Sequence, residues 1–72
     1  MPKYPVLKPK EIIRVLEKLG FIKVRSRGSH LQYKKGNLLV TVPFHNKDLR
    51  QETLKSILRQ AQLSVEELNE ML

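Results

Sequence analysis

The chain has 72 residues, of which 14 are lysine or arginine and seven are aspartate or glutamate, so its formal net charge is +7. A chain of this length buries only about 60% of the surface that it exposes when unfolded, which allows one thin hydrophobic core and excludes the large cofactor-binding folds. It contains no cysteine. Disulfide frameworks and thiolate metal sites are therefore excluded, and a reducing, cytoplasmic compartment is expected.

The basic residues are unevenly distributed along the chain. All 14 lie in residues 1–59, whereas residues 60–72 contain three acidic residues and no base. Such a basic region favours binding to a polyanion, and nucleic acid is the commonest one. Binding is favourable because each neutralised phosphate releases condensed counterions. A membrane surface is the weaker alternative, because the basic residues are not confined to one amphipathic helix with large aromatic residues on its opposite side. A solvated basic face without a partner is the third interpretation.

The N-terminal part of the sequence predicts an extended entry followed by a helix. We expect residues 1–72 to form one domain, with an extended proline-rich segment at 1–8 and a folded core at 9–72. Apolar residues recur at helical spacing from Pro9 to Leu19, and Gly20 is positioned to end this helix in a left-handed conformation.

The middle of the chain predicts three short strands. Residues 21–25, 30–34 and 38–42 favour strands through period-two alternation or β-branched composition, and glycine-containing turns separate them. Turns this short make the sheet an antiparallel meander. In the first strand, Ile22 and Val24 are predicted to face the helices.

Two further helices are predicted near the C-terminus. Leu54 to Ala61 carries a helical apolar stripe, with Thr53 or the earlier Asn46 as its start. Ser64 and Glu67 have the spacing of a capping box, which opens a short last helix. We therefore predict an α+β fold of order α-β-β-β-α-α, in which helices cover one face of a three-stranded antiparallel sheet.

The uncovered face of that sheet is predicted to present a histidine among polar and basic side chains. They are Lys23, Arg25, His30, Gln32 and Lys34. Positive neighbours disfavour protonation of an imidazole, so His30 suits a general base that removes the proton of a ribose 2′-hydroxyl. The alternative is a surface histidine near a turn that serves only solubility.

Residues beside this histidine suit phosphate binding. Arg27 provides a charged donor, Gly28 permits close backbone approach, Ser29 provides a hydroxyl and Lys35 adds a further cation. His45 is either a second proton-transfer group or a loop histidine bonded to nearby backbone. The sequence has no histidine pair at i, i+4 spacing and few acidic residues near its middle, so we expect neither a metal nor a cofactor.

Short motifs in a fixed order resemble the HicA toxin family over nearly the whole chain. They are Leu19-Gly20-Phe21, Gly28-Ser29-His30, Val42-Pro43-Phe44-His45, and Thr53-Leu54 followed by Ile57-Leu58-Arg59-Gln60-Ala61. The resemblance implies a double-stranded-RNA-binding-domain-like fold and an mRNA interferase that inhibits translation in a toxin–antitoxin stress response. It also implies a HicB antitoxin that covers the active site, and it maps the family's catalytic histidine to His30.

Residues and resemblance together predict a metal-independent endoribonuclease that cleaves mRNA with His30 as general acid or base. An acidic protein partner is physically reasonable, because it would neutralise the basic face and the edge strands of so small a sheet are open to pairing. The alternative is a non-catalytic RNA-binding module that recognises duplex shape. A dedicated duplex binder is expected to carry a lysine cluster at the start of its last long helix, whereas residues 49–53 are mixed.

Overall fold

The structure is a computed structural model that describes residues 3–72, so the first two residues of the predicted extended segment lie outside the described residues. The element order is α-β-β-β-α-α, and the antiparallel sheet has the strand order β1-β2-β3. This confirms the predicted α+β fold and is consistent with a double-stranded-RNA-binding-domain-like architecture. The elements are α1 (Pro9–Lys18), β1 (Ile22–Arg27), β2 (His30–Lys35), β3 (Leu38–Pro43), α2 (Gln51–Ala61) and α3 (Val65–Met71).

Local signals determine both ends of α1. Pro9 occupies the first helical position, where its fixed φ suits a helix and its missing N–H is not needed. The backbone N–H of Lys8 donates to Oε1 of Glu11 at 2.9 Å. Gly20 follows the helix with φ of +100°, a conformation that residues with a Cβ rarely adopt, which confirms the predicted stop.

The start of α2 differs from both predictions. The helix begins at Gln51 instead of at Thr53 or near Asn46, and its N-cap residue makes no side-chain capping bond. A tertiary contact accounts for this position, because the backbone N–H of Leu49 donates to the carbonyl of Leu7 at 2.7 Å and both side chains are buried. The extended segment before α1 thus contributes to the core and holds the chain entering α2.

The capping box at the start of α3 is confirmed. The Glu67 backbone N–H donates to Oγ of Ser64 at 3.1 Å, and the Ser64 backbone N–H donates to Oε1 of Glu67 at 3.0 Å. The Ser64 backbone N–H bond to the carboxyl is the larger cause, and the Ser64 hydroxyl the smaller one, that lower the pKa of Glu67 below its ordinary value of 4.5. Val65 and Leu68 bury the apolar side of this short helix.

The predicted register of β1 is wrong for two residues. Ile22 pairs with Lys34 and is 69% exposed, so it lies on the face away from the helices. Lys23, predicted for that uncovered face, pairs with the buried Tyr33 and lies on the helical face. Arg25 still lies on the uncovered face, because a β-bulge between Lys23 and Arg25 inserts one extra residue.

The position of β1 in the sheet explains this error. The helices α1 and α2 pack on β3, and every residue of the edge strand β1 is exposed. Val24, predicted to face the helices, is 54% exposed. Apolar alternation determines register only where one face is buried, and burial imposes no such requirement on β1.

The core lies between the helices and the β2–β3 half of the sheet. Its sheet side is formed by Tyr33, Val40 and Val42, with residues of α1, α2 and α3 opposite. One backbone donor on the outer edge of β3 has a partner in α2, because the Thr41 N–H donates to Oε1 of Gln60 at 2.8 Å. Among residues 3–72, no helix is both long and apolar enough to cross a membrane.

Candidate functional site

Four of the five residues predicted for the uncovered face do lie there. Cross-strand pairing places Arg25 opposite Gln32 and Arg27 opposite His30, and Lys34 follows on the same face of β2. Directly opposed residues have Cβ atoms about 4.5–5.5 Å apart, so their side chains are neighbours. We call these four residues, together with Arg27, the open face; it thus consists of Arg25, Arg27, His30, Gln32 and Lys34.

His30 is the first residue of β2 and lies at the end of the sheet. Its cross-strand neighbours are Arg27 on one side and Pro43 on the other, and its side chain is exposed. The carbonyl of the preceding Ser29 accepts a hydrogen bond from the Phe44 backbone N–H, which ties the hairpin turn to the chain leaving β3. The imidazole is therefore accessible beside a guanidinium group on a held backbone.

The turn before His30 is open to a ligand. Gly28 and Ser29 form the two-residue connection between Arg27 and His30, and Gly28 has φ of +58°, the left-handed region that such hairpin turns require. A Cβ built on Gly28 would meet nothing within 4 Å. An anionic group can therefore approach the backbone of this turn closely.

Two predicted site residues are positioned differently from this group. Lys35 is at the far end of β2, about 17 Å from His30 at 3.3 Å per residue, and its Nζ lies 6.0 Å from the ring centroid of Phe21. His45 follows β3 at the same end of the sheet as His30, and its Nδ1 accepts a hydrogen bond from the Lys47 backbone N–H at 3.1 Å. This bond is of the kind expected if His45 is a loop histidine bonded to nearby backbone. It also makes Nε2 the protonated nitrogen of the neutral ring.

A groove that the sequence did not predict lies on the helical face, between α1 and the β1–β2 hairpin. We call it the α1–β1 groove; its volume is about 620 Å³. Its buried or half-buried lining is apolar, and its exposed lining is mainly polar or basic. The buried or half-buried residues are Ile13, Leu31 and Tyr33, and the exposed residues are Lys10, Lys23, Ser26, Gly28, Ser29 and Phe44.

The α1–β1 groove and the open face meet at the hairpin turn. Ser29 lines the groove and directly precedes His30 in the chain. In the groove, burial raises the pKa of the Tyr33 hydroxyl above its ordinary value of 10.0, and the Glu17 carboxylate raises it further. Tyr33 is therefore a neutral hydroxyl at physiological pH.

Sequence reasoning missed three of the groove residues. They are Lys10, Ser26 and Phe44, which lie on three different elements or loops and come together only in the folded chain. The one available signal was Phe44, a large apolar residue directly followed by the polar residues 45–48. Within residues 3–72, no three histidine, aspartate or glutamate side chains are grouped so that they could hold a metal ion.

Comparison with known proteins agrees with the sequence motifs. The family model for the HicA toxin of bacterial toxin–antitoxin systems matches residues 9–63, which is well over half of the chain. The protein thus belongs to the class of small α+β toxins, and specifically to the HicA toxin family. A comparison with curated proteins found no match. Family membership makes the chain the toxin component of a toxin–antitoxin pair and implies a HicB-type antitoxin as its partner.

Proposed function

We propose that this toxin is a metal-independent endoribonuclease that cleaves mRNA, with His30 as its general base or acid. The observation that carries the proposal is the exposed imidazole at the end of the sheet, beside Arg27 and the open Gly28–Ser29 turn. General acid or base catalysis contributes about 10²- to 10⁴-fold. Inhibition of translation in the cytoplasm follows from mRNA cleavage.

The reaction is a phosphoryl transfer within the RNA chain. The His30 imidazole takes the proton of a ribose 2′-hydroxyl, and the 2′-oxygen attacks the adjacent phosphorus. The bond from phosphorus to the 5′-oxygen of the next nucleotide breaks, and that oxygen leaves with a proton from water or from a second acid. The products are a 2′,3′-cyclic phosphate and a 5′-hydroxyl. His45 lies at the same end of the sheet. To serve as the second acid it would have to be an imidazolium, and protonation of Nδ1 would break its bond to the Lys47 N–H.

The other residues of the open face bind the RNA backbone. Arg25, Arg27 and Lys34 neutralise phosphates, and Gln32 offers both a donor and an acceptor. The Gly28–Ser29 turn holds the phosphate at the cleaved bond. Lys23 contributes from the groove side instead of the open face, and Lys35 contacts only a longer substrate.

The test is cleavage of a labelled, unstructured RNA by the pure chain in the presence of a chelator, with the fragment ends identified by mass. We expect cyclic phosphate ends, at least about 100-fold slower cleavage by His30→Ala, and RNA affinity within a few-fold of the wild type. The matched substrate control carries a 2′-deoxyribose on the 5′ side of the cleaved bond and stays intact. Unchanged cleavage by His30→Ala, or loss of cleavage with the chelator, contradicts the proposal.

A non-catalytic duplex-RNA-binding module is the second candidate. It is favoured by Lys10 on α1 and Lys23 on β1, which both line the groove beside the hairpin turn. A helix and a hairpin turn presented together can follow successive minor grooves of an RNA duplex. This candidate predicts that the wild-type chain binds duplex RNA more tightly than single-stranded RNA and produces no fragments from either.

A further inference from the structure

We propose that the α1–β1 groove binds an unpaired nucleobase of the RNA, stacked on Phe44, while Lys10 and Lys23 contact the flanking phosphates. This inference rests on the proposed ribonuclease function, since it supplies a base-binding subsite next to His30. The occupant is a base of a single strand, because the faces of bases in a duplex are already covered and not accessible for stacking.

Phe44 is the aromatic residue that the fold leaves exposed. Phe21 and Tyr33 are buried and Tyr4 is half-buried, whereas Phe44 is 45% exposed. Its backbone is not free to move away from the site, because its N–H donates to the carbonyl of Ser29. The structure therefore holds an exposed aromatic ring beside the turn that precedes His30. An aromatic ring in that position is the usual platform for an unpaired base.

The lining of the groove matches the chemistry of a nucleotide. Its volume lies within the range of about 300–1,000 Å³ that is typical of small-molecule sites. The apolar residues Ile13 and Leu31 suit the face of a base, and the Ser26 hydroxyl can bond to a base edge. All charged side chains in the lining are lysines, which favours an anionic occupant.

A second concavity continues the same path beyond Phe44. Lys8, Lys10, His45 and Asn46 line it together with Phe44, so Phe44 and Lys10 border both concavities. A single strand that crosses the Phe44 ring therefore meets cationic side chains on either side of the stacked base. This continuity favours an extended RNA strand over an isolated nucleotide.

The test uses Phe44→Trp. The chain contains no tryptophan, so all tryptophan fluorescence of this variant comes from position 44. In a His30→Ala background, which blocks cleavage, we expect quenching of tryptophan fluorescence by a short single-stranded RNA and affinity at least equal to that with Phe44. Phe44→Leu keeps an apolar side chain but no ring. We expect it to weaken binding about 5-fold or more, as measured by the anisotropy of the labelled RNA.

Two further variants separate stacking from other effects. Leu72→Ala removes another exposed apolar residue and should leave RNA affinity unchanged. Lys10→Gln should weaken binding and reduce the slope of log affinity against log salt by about one. Because Lys10 is exposed on the surface of α1, this variant tests the groove even if a Phe44 variant unfolds, which thermal melting monitors.

Several results would overturn the inference. One is unchanged fluorescence of Phe44→Trp when the RNA anisotropy shows saturation; another is wild-type RNA affinity in both Phe44→Leu and Lys10→Gln. Equal quenching by a duplex of the same sequence would assign the groove to duplex RNA, and an effect confined to antitoxin binding would assign it to the protein partner. If the Phe44 effects hold while His30→Ala cleaves normally, the catalytic role fails and the base-binding groove stands.

Discussion

Replacement of Ile22 by threonine tests the register of β1. Threonine keeps the β-branched shape that strands favour, so the substitution changes mainly the apolar area at this position. In the structure Ile22 is 69% exposed, which leaves about a third of its side chain removed from water. Full burial of an isoleucine side chain contributes about 1.5–3 kcal/mol. The whole Ile22 side chain therefore stabilises the fold by about 0.5–1 kcal/mol, and its replacement should reduce the free energy of unfolding by about 0.5 kcal/mol or less.

The matched variant is Val42→Thr, which makes a nearly isosteric change on the buried side of β3. Val42 has no exposed surface, so the variant buries a hydroxyl group, at a cost of about 1–3 kcal/mol. In a domain of this size, 1 kcal/mol shifts the melting temperature by about 4–8 °C. Thermal unfolding followed by circular dichroism should therefore show a decrease of about 4 °C or more for Val42→Thr and a smaller change for Ile22→Thr. Equal destabilisation by the two variants would refute the observed register and support the alternation that the sequence predicts.

Two further predictions concern hydrogen bonds at the ends of elements. Gln60→Leu removes the acceptor of the Thr41 N–H and should reduce the free energy of unfolding, measured in urea, by about 1 kcal/mol; an equal loss in the exposed Gln51→Leu would show that the bond is not responsible. The Ser64 bonds lower the pKa of Glu67, so its carboxylate stabilises the fold above pH 4.5, and this contribution is lost as the pH falls through the lowered value. The stability difference between the wild type and Glu67→Gln should therefore shrink on acidification, and a difference that is independent of pH would contradict the assignment.

Prediction from the sequence succeeded where the determining contacts are close in the chain. The start of α1 follows from the fixed φ of Pro9, and its end follows from the freedom of Gly20 to adopt positive φ. The α3 start follows from two hydrogen bonds between residues three positions apart. Interactions of this kind depend on a few neighbouring residues, so the local sequence contains all the information they need.

The candidate site was only partly predictable for the same reason. The position of His30 and Gln32 on the uncovered face follows from the alternation in β2, because Leu31 and Tyr33 face the core. The α1–β1 groove was not predicted, since its lining comes from α1, the β1–β2 hairpin and the loop after β3. No local pattern links Phe44 to residues that are more than 30 positions away in the chain.

The sequence by itself determined the order and type of the elements, the family, and the exposure of His30. Periodicity, caps and turns depend on residues that are close in the chain, so they can be recognised without the tertiary structure. Only the tertiary structure decided the start of α2, the side of the sheet on which Lys23 lies, and the presence of a groove beside His30. The start of α2 depends on the contact of Leu49 with Leu7. The other two depend on how the helices are positioned over the sheet, because they pack on β3 and leave β1 exposed. Burial determines the register of a strand only where another element covers one of its faces. Every residue of β1 is exposed, so burial does not determine the register there.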